Sequence, residues 1–201
     1  MSAPNQHIAA SAASRPAPPA VAGQGQAQAV AAGLDLGSWD WGAPLPGAPH
    51  FTLAELIRSD TAAAYGLDNR PDKASLKRLL KLTRLILEPL RLRFGPIKVL
   101  SGFRSPELNW YVSLSRTSRH CRGEAADIVP LDRAVGLMDI ITYAHGHLSF
   151  QELILEHPPR GWVHVSIGSQ GEAARHLMLQ EKGRPLCTVA LADLQKTYFK
   201  A

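Results

Sequence analysis

The chain has 201 residues and a formal net charge of +5, from 22 Lys and Arg against 17 Asp and Glu, so it holds one domain of ordinary size and leaves no room for a second catalytic one. Its two cysteines, Cys121 and Cys187, lack disulfide-type spacing, which excludes a disulfide scaffold and a cysteine-rich structural zinc module. No apolar run of about eighteen residues and no signal-like start is present, so neither membrane insertion nor signal-directed export is expected, while the basic balance favours polyanions without choosing among them.

Residues 1–49 are dominated by Ala, Pro, Gly, Gln and Ser, a composition that cannot bury enough apolar surface to offset the entropy of ordering, and they read as a flexible arm. Its one apolar island, Leu34 to Trp41, is expected to dock on the chain's own domain. Order is expected from Phe51, because Thr52 and Glu55 match a capping box for a helix ending near Gly66. Leu76, Leu79, Leu80, Thr83, Ile86, Leu87 and Leu90 recur at helical spacing, which predicts a long helix from about Asp72 to Phe94, kinked by Pro89 and closed by Gly95 and Pro96. Its other face carries Lys73, Lys77, Lys81, Arg84 and Arg91, a cationic stripe read as solvated.

Ile97 to Leu100 reads as a short strand, and Ser105-Pro106 as the cap and first turn of a helix to about Tyr111, which puts Arg104 at a strand-to-helix junction. Ala125 to Val129 is a second strand, and Asp132 is expected to cap a helix that packs Val135, Met138, Ile141 and Tyr143 inward. Gln151 to Glu156 and Trp162 to Ile167 suggest a hairpin around His157 to Gly161. Arg175 to Gln180 reads as an edge strand or a short helix. These elements place a folded domain at 50–182, with a tail at 183–201 whose structure periodicity does not decide.

Chemistry concentrates in two places. Seven positions separate His120 from Asp127, and thirty-seven more lead to His164. Two neutral imidazoles and a carboxylate suit zinc, and three protein ligands leave a fourth position for water, as catalytic rather than structural sites do. Gly123 fits a tight bend between the first two ligands. Cys121 reads as a small buried neighbour, since successive residues of an extended chain point to opposite faces.

Four runs in order, Ser101-Gly102-Phe103-Arg104-Ser105-Pro106-Glu107-Leu108-Asn109, Ser118 to Asp127, Glu152 to Glu156, and Trp162 to Ser166, resemble the zinc D-Ala-D-Ala carboxypeptidases and related peptidoglycan endopeptidases of the Hedgehog/DD-peptidase fold, over about Phe51 to Ile167. The resemblance implies an α+β fold with a small, mainly antiparallel sheet and helices on one side. It also implies zinc held by His120, Asp127 and His164, and an Arg104 that faces substrate and holds a carboxylate or a developing oxyanion. Ser118 resembles a serine that hydrogen-bonds substrate near the metal, or else caps its turn. A structural ion pair is the alternative reading of Arg104.

The proton-handling residue departs from the better-known pattern, which has an H-x-H ending or a glutamate three residues before the last ligand; here those places hold Trp162 and Gly161. If the hairpin pairs Glu156 with Trp162, Ile154 lies opposite His164 and Glu156 lies diagonally from it on the same face, within a glutamate's reach. Glu156 is therefore the candidate base, with Glu152 and His157 in reserve, and its alternative role is to orient a ligand imidazole. The expected activity is zinc-dependent hydrolysis of peptidoglycan stem or cross-bridge peptides, as a carboxypeptidase or an endolysin-like endopeptidase. The competing reading is a non-catalytic, zinc-stabilised module that binds cell wall or belongs to a virion. Nucleic-acid binding lacks aromatic interleaving or a reading helix. The expected place of action is the cell wall, after membrane breach or delivery in a virion.

Overall fold

A computed structural model of the chain describes residues 40–114, 116–168 and 175–199. The elements begin earlier than Phe51. Strand β1 (Pro44–Leu45) pairs with β2 (Ala48–Thr52), burying Leu45, Ala48 and Phe51, and Trp41 packs against the same core. Trp41 thus docks on its own domain, whereas Leu34 to Trp39 lie outside the described residues.

The first expected helix divides in two, α1 (Leu53–Ile57) and α2 (Asp60–Tyr65), because Ser59 starts a new helix by accepting a hydrogen bond from the Ala62 amide. Thr52 accepts from the Glu55 amide at 3.2 Å. Each such cap contributes about 1 kcal/mol. Gly66, at φ 62°, ends α2 in the left-handed conformation.

The long helix runs as α3 (Lys73–Leu82), a π-helical turn (Thr83–Leu87) and α4 (Glu88–Phe94), capped by Asp72. Pro89 has no N–H for the carbonyl four residues back. The helix widens just before it, where the Glu88 amide reaches the Thr83 carbonyl, so the irregularity expected at Pro89 includes a π-turn. Arg91 is not part of a solvated stripe. Its guanidinium lies 3.6 Å from the Phe51 ring centroid, is 2.6 Å from Glu55 Oε1, and donates to the carbonyls of His50 and Ile97.

Strand β3 (Ile97–Ser101) leads through Arg104 into α5 (Pro106–Ser113), whose first turn Ser105 caps. Then follow β4 (Ala125–Pro130), α6 (Leu137–His147), β5 (Glu152–Glu156), β6 (Trp162–Ser166), β7 (His176–Gln180), β8 (Cys187–Thr188) and α7 (Leu191–Tyr198). Asp132 caps only a turn, through the Ala134 amide. The helix starts later, where Asp139 accepts from the Gly136 amide.

The six strands lie in the order β3-β4-β6-β5-β7-β8. The sheet is mixed: four of the five pairings are antiparallel, and β5 with β7 is parallel. Strand β7 lies on the far side of β5 from β6, antiparallel to β6 but parallel to the strand it joins. Period-two alternation then gives the sheet two distinct faces. Ala126, Ile128, Leu153, Leu155, Val163 and Val165 join one apolar core with residues of α4 and α6. The opposite face carries Asp127, His164, Ile154 and Glu156.

Candidate active site

Three local structures bring the chemistry together. A 3-10 turn, His120–Arg122, carries the first histidine and ends at Gly123, with φ 70°. A Cβ at Gly123 would lie 2.3 Å from the Ser75 carbonyl oxygen of α3, so both conformation and space require glycine there. Strand β4 then places Asp127 directly opposite His164 of β6, and β5 places Ile154 on the other side of His164. The hairpin register is the one that pairs Glu156 with Trp162, which puts Glu156 diagonally from His164 on the same face.

His164 Nδ1 lies 2.8 Å from Asp127 Oδ1, and His120 Nε2 lies 3.4 Å from the same oxygen. Ligand atoms of the three side chains all fall within 4.8 Å of one another. His120 is 2 % exposed, and its Nδ1 is 2.7 Å from the Gly102 carbonyl oxygen. A carbonyl only accepts, so the ring proton is on Nδ1 and Nε2 offers a lone pair. That nitrogen is buried without a hydrogen-bond partner. A bare nitrogen lone pair aimed at a carboxylate oxygen is repulsive unless a cation lies between them, and two imidazoles with one carboxylate are a donor set that could hold a metal ion.

The ionisation equilibria follow from the same geometry. Burial holds the His120 imidazole below its usual range, against the attraction of Asp127. Burial also pushes Asp127 upward, but the imidazoles of His120 and His164 beside it more than reverse this and hold its carboxyl far below the carboxylate range. His164 behaves oppositely, since the hydrogen bond and charge of Asp127 overcome burial and raise its pKa. The His164–Asp127 hydrogen bond therefore puts a proton where a cation would compete for the same atoms.

Arg104 reaches this cluster from the β3–α5 junction, with Nη2 3.8 Å from Asp127 Oδ2. Burial lowers its pKa, opposed by Asp127, Cys121 and Glu156, and it stays a cation at neutral pH. Its Nε is buried without a partner, so the ion pair leaves a donor unused. Its backbone is fixed twice. The Arg104 amide donates to the His120 carbonyl at 3.2 Å, and Asn69 clamps both sides by donating to the Phe103 carbonyl and accepting from the Ser105 amide. Gly102 passes so close to α1 that a Cβ would lie 2.2 Å from the Leu56 oxygen.

Glu156 has its carboxyl raised by burial first and by Asp127 second, with His164 and Arg104 opposing. The Trp162 indole N–H also draws it down from nearby without completing a hydrogen bond. Glu152 is already engaged by Arg119 and Ser166. His157 stands at the hairpin turn with φ 52°, its ring edge-on to Trp162. Ser118 accepts from the His120 amide at 3.2 Å, which is the capping geometry. Cys121 is half-buried rather than buried, with its thiol pKa pushed up by burial, and it is not part of the ligand group.

Sequence reasoning missed Gly102 as the anchor of His120, Asn69 as the clamp on the Arg104 loop, and Glu124 with its arginines. Glu124 stands inside the ligand motif, and its flanking Arg119 and Arg122 were a legible signal. Asn69 had none, being thirty-six residues from its partner Ser105.

Compared with known proteins, residues 49–166 match the family model described as Peptidase M15. No curated protein matches the chain. The match spans more than half of the sequence and includes every residue of the cluster just described.

Proposed function

Because the chain belongs to the Peptidase M15 family, we propose that it is a zinc metallopeptidase that hydrolyses peptide bonds in the stem or cross-bridge peptides of peptidoglycan. The observation that carries this reading is the bare Nε2 of His120, buried and directed at Asp127 Oδ1 beside His164. His120 Nε2, an Asp127 carboxylate oxygen and a His164 ring nitrogen would hold the ion. When bound, zinc supplies the Lewis acidity that acidifies water and polarises a scissile carbonyl.

The rest belongs to the chain's own side chains. Glu156 accepts the proton of the attacking water and returns it to the leaving amine, a task suited to a carboxylate whose burial raises its pKa. Arg104, with its unpaired Nε, binds a substrate carboxylate or the oxygen on which negative charge develops. Trp162 stands opposite Glu156 in the hairpin and walls that side of the site. Ser118, whose oxygen is occupied by the His120 amide, retains its hydroxyl proton to donate to substrate.

Two features support peptidoglycan as the substrate: a net charge of +5, suited to anionic wall polymers, and Arg104, suited to the free carboxylates of stem peptides. The test is digestion of purified peptidoglycan by the full chain, with mass spectrometry of released fragments and metal analysis of the protein. Zinc-dependent release of peptides, lost in Glu156→Ala with metal retained, is the expected result. A chain that pellets with cell walls, holds zinc and releases nothing would instead be a binding module.

A further inference from the structure

We propose that Glu124 and Glu152, acting through Arg119 and Ser166, hold the three ligand-bearing segments in place before an ion arrives, and so set metal affinity without touching the metal. The inference rests on reading His120, Asp127 and His164 as ligands. Each segment contributes a member to one polar network. Arg119 immediately precedes His120, and its Nε lies 2.7 Å from Glu152 Oε2 on β5. The same oxygen accepts from Ser166 Oγ at 2.9 Å, and Ser166 stands two residues past His164 on the same face of β6. The Glu152 amide donates in turn to Ser166 Oγ at 3.2 Å.

Glu124 completes the network between the first two ligands. It is 2 % exposed, with Arg122 Nε at 2.8 Å, Arg78 Nε of α3 at 3.5 Å and Arg119 Nη1 at 3.7 Å. Its backbone is fixed as well, because its amide donates to the Arg119 carbonyl and its carbonyl accepts from the Ile167 amide, both at 2.9 Å. A carboxylate this buried is costly unless matched by charge and hydrogen bonds, and a satisfied network of this kind specifies one arrangement of its neighbours.

The cluster needs such restraint. The turn and β4 bring His120 Nε2 and Asp127 Oδ1 to 3.4 Å of each other, a spacing that the surrounding segments must keep. Arg119 ties that turn to β5, and Ser166 ties β5 to the strand of His164. Glu124 ties both ends of the turn to α3. Preorganised donors bind an ion more tightly because less order is lost on binding.

The experiment measures zinc affinity of the full chain by competition with a chromophoric chelator, alongside the thermal midpoint of the metal-free protein. Glu152→Gln and Ser166→Ala break one contact of the network from its two ends, Glu152 being 26 % exposed and Ser166 buried, so two separate variants probe it. Each is expected to weaken zinc binding about ten- to a hundredfold with the metal-free protein still folded, and the double variant to lose less than the two losses combined. A purely structural role lowers the thermal midpoint at unchanged affinity. Zinc affinity within about twofold of the parent in both folded variants overturns the proposal. A parent chain that takes up no zinc overturns the reading of the ligands themselves, which is a distinguishable result.

Discussion

Asp127 and His164 face each other across β4 and β6, with the imidazole Nδ1 2.8 Å from the carboxylate. In the metal-free protein that nitrogen holds a proton, and an ion must displace it. His164 has its pKa raised above its ordinary 6.5, so zinc uptake releases a proton and its affinity falls as pH drops through the raised value. Proton release on adding zinc, measured in weak buffer across pH, checks this; uptake with no release at pH 6.5 contradicts it.

The same pair bears on stability with a definite sign. Asp127 is depressed, so its contribution is present above its ordinary 3.8 and lost as pH falls below it. His164 is raised, so its contribution is full below 6.5 and lost as pH climbs through its folded value. The metal-free parent should therefore exceed His164→Gln in stability most between those two pH values, with the margin shrinking in alkali. Urea unfolding of both proteins in chelator, at a series of pH values, reads the margin directly.

Gly123→Ala should destabilise the fold by more than about 2 kcal/mol, since it adds left-handed strain to a collision with α3. The new Cβ would lie 2.3 Å from the Ser75 oxygen, a backbone atom that cannot swing aside. Because the ligand turn must shift to relieve it, zinc affinity should fall along with the urea midpoint. A variant as stable as the parent would show that the turn tolerates a side chain.

Local signals made much of this architecture legible. Leu76, Leu79, Ile86 and Leu90 announced the long helix by period, Ser105-Pro106 announced α5 by its cap, and β-branched runs announced the hairpin that pairs Glu156 with Trp162. The grouping of His120, Asp127 and His164, which could hold a metal ion, was legible because their residue types and order carry coordination chemistry. What stayed hidden depended on distant partners. No local pattern tells that β7 passes β5 to lie parallel to it, or that Arg91 finds Phe51 and Glu55. Pro44 to Pro49 read as arm because their composition is loop-like, yet Leu45 and Ala48 are buried by elements that come later in the chain. The break at Ser59 was a cap signal lying inside a run of helix formers, and the tertiary contacts of α1 and α2 decided it.

Arg104→Met removes a charged donor while keeping much of the stem that packs beside Asp127. A charge-assisted hydrogen bond to a buried partner contributes about 1.5–3 kcal/mol, so kcat/KM should drop about ten- to a hundredfold on a peptide bearing a free carboxylate. Zinc content should be unchanged, because Arg104 is not a ligand. If Arg104 serves the substrate carboxylate, an amidated peptide should show a much smaller loss than the free acid, whereas a developing oxyanion would be affected equally in both.

Glu156 offers the sharpest separation of catalysis from structure. It lies on the ligand face of β5, one strand from His164, and burial together with Asp127 raises its carboxyl above the ordinary 4.5. A cation between His120 and Asp127 opposes the Asp127 charge, so zinc should draw the Glu156 pKa back down. Carboxyl titration by isotope-edited infrared spectroscopy should therefore give a midpoint above 4.5 without zinc and a lower one with it. Replacing the group by its neutral isostere, Glu156→Gln, removes the proton acceptor at almost constant shape. General-base assistance contributes about 10²–10⁴-fold in rate, so kcat should fall by that factor while zinc affinity stays near the parent's. A glutamate that merely oriented a ligand imidazole would give the reverse, a loss of zinc affinity with turnover per bound zinc preserved.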